Sequence, residues 1–196
     1  GERAGLDEIP CIVREMTDAL VLDLVEKKLV TDQLVLDVGY DIENLADPER
    51  RKKYRGEVKA DRYGRVVPKH AHGTANLKKK TSSTSQIMEA VLELYDRIVD
   101  ENLLIRRVYV TANHALDEQS ISEETEFTQM DLFTDYQAVA EEQEAEQEKR
   151  EKERRLQEAM LSVKKKYGKN AMLKGTNLQE GATMQERNNQ IGGHHA

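Results

Sequence analysis

Apolar and polar positions follow regular rhythms over the first 115 residues and lose them afterwards. Between 7 and 29, Ile12, Val13, Met16, Leu20 and Leu24 return at roughly helical intervals, so the spacing predicts a helix with one apolar stripe. Pro10 suits its first turn, where a missing N–H costs little. Over 33–40 the period becomes two. Leu34, Leu36, Val38 and Tyr40 share one side, and Gln33, Asp37 and Gly39 the other, which predicts a half-buried strand. A polar excursion over 41–69 holds a hairpin signal, VKADRYGRVV, turning near Arg62, Tyr63 and Gly64. A second strand with a basic end is expected over 70–80. Ser83 precedes Gln86 by three, the spacing of a capping box. Ile87, Val91, Leu94, Tyr95 and Ile98 then recur at helical spacing, with the helix ending near Asn102. A further strand is expected over 104–112, with Val108 and Val110 facing one way and Arg107 and Tyr109 the other.

The order is therefore helix, strand, insertion, strand, helix, strand, with the two helix–strand units reading as a weak internal duplication. It predicts an α+β domain over 1–115, with 41–69 as an insertion. A strand–helix–strand crossover is right-handed, so both helices should cover one face of an open sheet, of three strands on this pattern. The uncovered face is either a nucleic-acid platform or a solvated surface. After His114 the pattern stops, and 116–134 reads as an acidic linker. Residues 135–168 are dominated by strong helix formers, with i,i+4 pairs such as Glu148 with Lys152 and Glu151 with Arg155. Leu156, Met160 and Val163 give that charged helix an apolar side only late, and Gly168 suits its C-cap. The Gly-, Asn- and Gln-rich 169–196 reads as a flexible C-terminal tail.

Composition sharpens this division. Of 196 residues 34% are charged, with 2 Phe and no Trp, so one core spanning the whole chain is not expected. The net charge of -7 disfavours nucleic acid only as an average. Between 49 and 80, twelve basic residues stand against Glu49, Glu57 and Asp61, whereas Asp117, Glu118, Glu123, Glu124 and Glu126 make 117–126 acidic. Such asymmetry assigns different partners to different segments. Cys11 is the one cysteine, which excludes an internal disulfide. No apolar run approaches a membrane helix and no signal peptide is visible, so no membrane partner and a cytoplasmic location are expected. Gly at position 1 reads as the start of a piece of something longer.

The candidate chemistry is sparse. His70 and His72 would share a strand face and His194 and His195 close the sequence, but without a Cys or a carboxylate pair they read as surface or hydrogen-bonding residues, and no metal site is expected. Ser82, Ser83 and Thr84 read as a helix cap, not a nucleophile. Asp37 reads as a lone outward carboxylate.

Both Phe residues, Phe127 and Phe133, fall in the polar linker, and Met130, Leu132, Phe133 and Tyr136 cluster there. Apolar anchors in such a segment suit docking into a partner's groove. Gln129-Met130-Asp131-Leu132-Phe133 resembles the pentapeptide by which bacterial polymerases and repair proteins hold the sliding clamp: Gln leads, an acidic residue sits third, and Leu-Phe closes. The departure is Met130, where Leu is common. Further stretches, REMTDAL from Arg14, QLVLDVGYD, HAHGTANL from His70, the helix running into RRVYVTAN, and the tail from Lys164, are similar to the little-finger and C-terminal region of Y-family, UmuC-like translesion DNA polymerases, the tail matching the Gram-positive type.

That resemblance implies a four-stranded sheet backed by two helices, with its first strand before Arg14, gripping duplex primer–template DNA by its phosphates. Lys69, Lys78, Lys79, Lys80, Arg106 and Arg107 would be the contacts. It implies an error-prone, SOS-response DNA-repair function, a bacterial nucleoid-associated location, and the sliding clamp as partner. Palm, fingers and thumb would belong to the same polypeptide. The palm carboxylates that hold two Mg ions in this chemistry are not found in the sequence. The chain is thus expected to be non-catalytic, with no cofactor of its own and Mg in the palm. The alternative is a protein–protein adaptor using the long polar helix, without direct DNA binding.

Overall fold

The computed structural model describes residues 9–121, 136–178 and 182–189. Six helices and six strands occur among them, in an α+β arrangement around one small open antiparallel sheet. The first helix, α1, is Ile9–Glu26, and the chain turns at Lys28 (φ 55°) into β1, Leu29–Tyr40. β1 is the central strand. It pairs antiparallel with β4, Ala71–Thr81, on one side and with β5, Ile105–Asn113, on the other. The helix α4, Thr84–Ile98, crosses from β4 to β5. Three strands and two helices thus fall where the periodicity places them.

Leu34, Leu36, Val38 and Tyr40 of β1 are all buried, facing Ile87, Val91, Leu94 and Tyr95 of α4 and Val13, Val21 and Leu24 of α1. Alternation in the strand and 3.6-residue periodicity in the helices supply two apolar surfaces that can only leave water against each other. Gly73 on β4 lets α4 approach the sheet closely: a Cβ there would lie 2.9 Å from Leu94 Cδ1.

Several boundaries differ from expectation. α4 ends at Ile98, not near Asn102, because Asp100 N–H donates to the Tyr40 hydroxyl (2.9 Å) and Asp100 Oδ1 accepts from Asn102 N–H (3.0 Å), a local turn that competes with helix. The fourth strand is not a leading one among the described residues; residues 1–8 lie outside them. It is β6, Leu116–Asp117, which pairs with Leu29 and Val30. A 3-10 turn follows over Glu118–Ile121, so the start of the expected linker belongs to the folded domain. Residues 122–135, with the clamp peptide, lie outside the described residues.

The 41–69 insertion is ordered. Two short helices, α2 (Glu43–Ala46) and α3 (Pro48–Lys53), precede a hairpin of β2 (Val58–Ala60) and β3 (Val66–Pro68). Asp47 caps α3 by accepting from Glu49 and Arg50 N–H, with Pro48 in the first turn, a signal visible in the sequence. Buried Asn44 pins the insertion to β5: its Nδ2 donates to Asp41 O and Leu104 O (2.9 Å each) and its Oδ1 accepts from Leu104 N–H (2.8 Å). Asn44→Ala strands the Leu104 N–H, so a stability loss of about 2 kcal/mol is expected in urea denaturation.

The charged helix, α5, spans Tyr136–Tyr167, and Gly168 (φ 97°) follows it with its N–H on Lys164 O. Its inner side is Gln157, Met160 and Leu161; Leu156, expected there, is exposed. The sequence beyond it reads as a flexible tail, yet its described residues pack on α1. A 3-10 turn (Gly175–Leu178) and α6 (Met184–Asn188) cover the side of α1 that carries buried Glu15 and Asp18. Lys174 Nζ reaches Asp18 at 2.6 Å. Among the described residues no helix is long and apolar enough to cross a membrane.

Candidate nucleic-acid interface

The helices α1 and α4 lie on one face of the sheet, and the other face presents rows of side chains across β4, β1 and β5. Cα pairing gives these rows as Asn76–Gln33–Asn113, Thr74–Val35–Thr111 and His72–Asp37–Tyr109, followed by Gly39 beside Arg107. Gln33 ties the first row together, donating to Asn76 Oδ1 (2.8 Å) and accepting from Asn113 Nδ2 (3.0 Å). Asp37 is not isolated: His72 Nδ1 is 3.3 Å and His70 Nδ1 3.6 Å from its oxygens. The histidines therefore serve a carboxylate. Among the described residues no group of three or more His, Cys, Asp or Glu is arranged for a metal ion.

At the Gly39 end the strand register shifts. Gly39 pairs with Arg107 but Tyr40 with Ile105, so Arg106 is the extra residue of a bulge. Strict alternation would put Ile105 on the open face with Arg107 and Tyr109. The bulge lets Ile105 pack on the core while Arg106 and Arg107 are both exposed. Arg107 crosses Gly39, where an added Cβ would sit 2.8 Å from its Cγ and Nε; its NH2 is 3.4 Å from His70 Nε2.

The β2–β3 hairpin stands beside this end, and between them lies a cleft of about 720 Å³. Lys59, Arg62, Arg65, Lys69, Arg106 and Arg107 line it, against one carboxylate, Asp61. The hydrogen-bonded Arg65 side chain holds the Asp61 carboxyl below its usual range, and Lys69 does the same to Glu57. The surplus charge suits a polyanion whose phosphates are held without reading sequence.

The six expected DNA contacts do not form one patch. Lys69, Arg106 and Arg107 share the cleft. Lys78, Lys79 and Lys80 sit at the other end of β4, near Thr31; at about 3.3 Å per residue along β1 this is roughly 26 Å from Gly39. There Lys78 and Lys79 line a groove whose far wall is α5, with Glu146, Arg150 and Glu151. Lys59, Arg62 and Arg65 were legible only as charge in the insertion; the Arg-Tyr-Gly-Arg run at a hairpin turn was the available signal.

The expected cap over Ser82–Thr84 is a cap, and also a docking site. Ser83 Oγ accepts from Gln86 N–H (3.3 Å) and donates to Glu153 Oε2 (2.7 Å), while Ser85 N–H donates to Glu153 Oε1 (2.8 Å). A carboxylate of α5 thus sits at the N-terminus of α4, where the helix dipole favours it. Gln157 Nε2 donates to Ser82 O and Thr84 Oγ1, and Arg154 pairs with Glu118 at 3.0 Å. The clamp residues Gln129, Met130, Asp131, Leu132 and Phe133 lie outside the described residues.

Comparison of the chain with family models, with curated proteins and with solved structures finds no match. The fold and the site define a small α+β domain with an open antiparallel sheet and a basic cleft at one end.

Proposed function

We propose that this chain is the non-catalytic DNA-binding and sliding-clamp-docking portion of a Y-family, UmuC-like translesion polymerase, with a little-finger-like domain gripping duplex primer–template DNA. The observation that carries the reading is the convergence of Arg106 and Arg107 with four cations of the β2–β3 hairpin in one cleft beside an uncovered sheet face. Phosphate contacts of this kind give affinity without sequence preference, which synthesis past an arbitrary lesion requires. The clamp peptide supplies recruitment. The Mg-dependent chemistry belongs to palm carboxylates elsewhere in the polypeptide, which lies in bacterial cytoplasm.

Duplex binding measured by fluorescence anisotropy at increasing salt tests this. Affinity should fall linearly in log–log form, and Arg106→Ala with Arg107→Ala should flatten the slope by about 2, since each phosphate contact contributes about 0.9. The loss should be alike across duplex sequences. Lys78→Ala with Lys80→Ala should weaken binding less, because these residues are at the far end of the sheet. A wild-type slope near zero would favour the adaptor reading, in which α5 binds a protein and DNA plays no part.

A further inference from the structure

Phosphate binding accounts for the cations of the cleft but not for two tyrosines beside them. Tyr63 is 70% exposed at the hairpin tip, and Tyr109 is 54% exposed one row along the open face from Arg107. Both sit on hydrogen-bonded backbone. The hairpin turns through Asp61 to Gly64, with Gly64 at φ 77°, Gly64 N–H on Asp61 O and Asp61 N–H on Arg65 O. Asp61 Oδ1 accepts from the N–H groups of Tyr63 (2.8 Å) and Arg65 (3.0 Å), fixing the tip from within. Tyr109 lies mid-strand, opposite Asp37.

Each ring has guanidinium neighbours. Arg62 and Arg65 are 5.1 and 5.2 Å from the Tyr63 centroid, and Arg107 is 5.9 Å from that of Tyr109. An exposed aromatic ring with guanidinium groups over it is an arrangement that can take unpaired nucleotides: bases stack with the rings and the guanidinium planes, and phosphates meet the charges. A duplex hides its base faces in its own stack and gains little from such rings. The charge distribution agrees. Six cations line the cleft, the row beside Arg107 is His72–Asp37–Tyr109, and the two rows beyond it, Thr74–Val35–Thr111 and Asn76–Gln33–Asn113, are uncharged.

We infer that the cleft between the hairpin and the sheet end holds an unpaired DNA strand, its bases stacked on Tyr63 and Tyr109 and its phosphates on the surrounding Arg and Lys side chains. This rests on the proposed DNA-binding role and adds to it: where the template continues past the duplex the cleft takes the single-stranded extension, and a blunt duplex meets the same cations through its phosphates alone.

The test compares, by anisotropy, a fluorescein-labelled blunt duplex with the same duplex carrying a single-stranded 5′ extension that contains 2-aminopurine. The extension should tighten binding, and 2-aminopurine emission should be quenched on complex formation. Tyr63→Ala and Tyr109→Ala should each weaken the extended substrate about tenfold, the effect of losing one base–aromatic stack. Blunt-duplex affinity should be unchanged, and the Phe variants should restore both the affinity and the quench. Both side chains are exposed, so the variants should keep the wild-type fold; unchanged circular dichroism checks this. No preference of the wild type for the extension, or equal losses on both substrates, would overturn the inference while leaving duplex binding intact. Poly-glutamate that binds the cleft in place of the extension, indifferent to the tyrosine substitutions, would also overturn it. Failure of the blunt duplex to bind with any salt dependence would remove the duplex reading itself.

Discussion

Leu132→Ala combined with Phe133→Ala is expected to reduce binding to a bacterial sliding clamp by more than about a hundredfold, since two buried apolar anchors each contribute about 2 kcal/mol or more. Gln129→Ala should cost less, because a rim hydrogen bond is worth about 1 kcal/mol. The fold should be untouched. Its core is built from Leu34, Leu36, Val38, Ile87, Val91 and Leu94, none of them near this segment in sequence. Surface plasmon resonance against immobilised clamp reads the first effect and a urea midpoint the second. A synthetic peptide spanning 127–136 should compete. Unchanged affinity of the double variant would remove the clamp from the proposed function, while the duplex-binding test would still stand on Arg106 and Arg107.

The largest stability effect is expected at Glu15. It is 1% exposed on α1, and its carboxylate gathers the tail: Oε1 accepts from Asn177 Nδ2 (3.0 Å), and Oε2 from Thr183 N–H (2.9 Å), Thr183 Oγ1 (3.2 Å) and Arg187 NH2 (3.4 Å). Burial pushes the Arg187 guanidinium below its usual range, so its charge is tolerated because Glu15 faces it. Its Nε is buried without a hydrogen-bond partner among the described residues, which makes the remaining contact matter more. Glu15→Ala leaves a buried cation and a backbone N–H uncompensated. A loss of about 3 kcal/mol is expected, the lower end for breaking one side of a buried pair, because Arg187 retains some solvent. Guanidinium denaturation measures it. Protease cleavage within 169–189 should accelerate in the same variant. A cost below about 0.5 kcal/mol, typical of an ordinary surface site, with unaltered cleavage would show that the tail does not depend on this carboxylate.

These two cases mark different depths of legibility. The clamp peptide is read as a contiguous string, since its recognition needs only neighbouring side chains. The tail had no such string. Its Gly, Asn and Gln content reads as flexible, and what holds it is a partner more than 160 positions away. Nothing local announces that pairing, and Glu15 on an amphipathic helix looks like any solvated acid. The second buried side of α1 was hidden for the same reason.

The DNA candidates divide likewise. Arg107 was legible as outward-facing from the parity of β5, and Lys69 as part of a basic block. That they meet the Arg62–Arg65 tip, while Lys78 and Lys79 face α5, follows from register and packing alone. The bulge opposite Tyr40 is a single extra residue in one strand, and it decides that Arg106 joins Arg107.

By itself, the sequence determined α1, β1, β4, α4, β5 and α5, the capping Ser83, the turn at Gly64 and the face of β1 that is buried. Each depends on backbone geometry and side-chain period within a few residues, and those are local properties. Tertiary structure alone decided which cations share a cleft, that two histidines turn to Asp37, that Glu153 caps α4 and that the tail closes on Glu15. Those contacts join residues 33 to 172 positions apart, and a chain encodes such meetings only through the packing of its whole core.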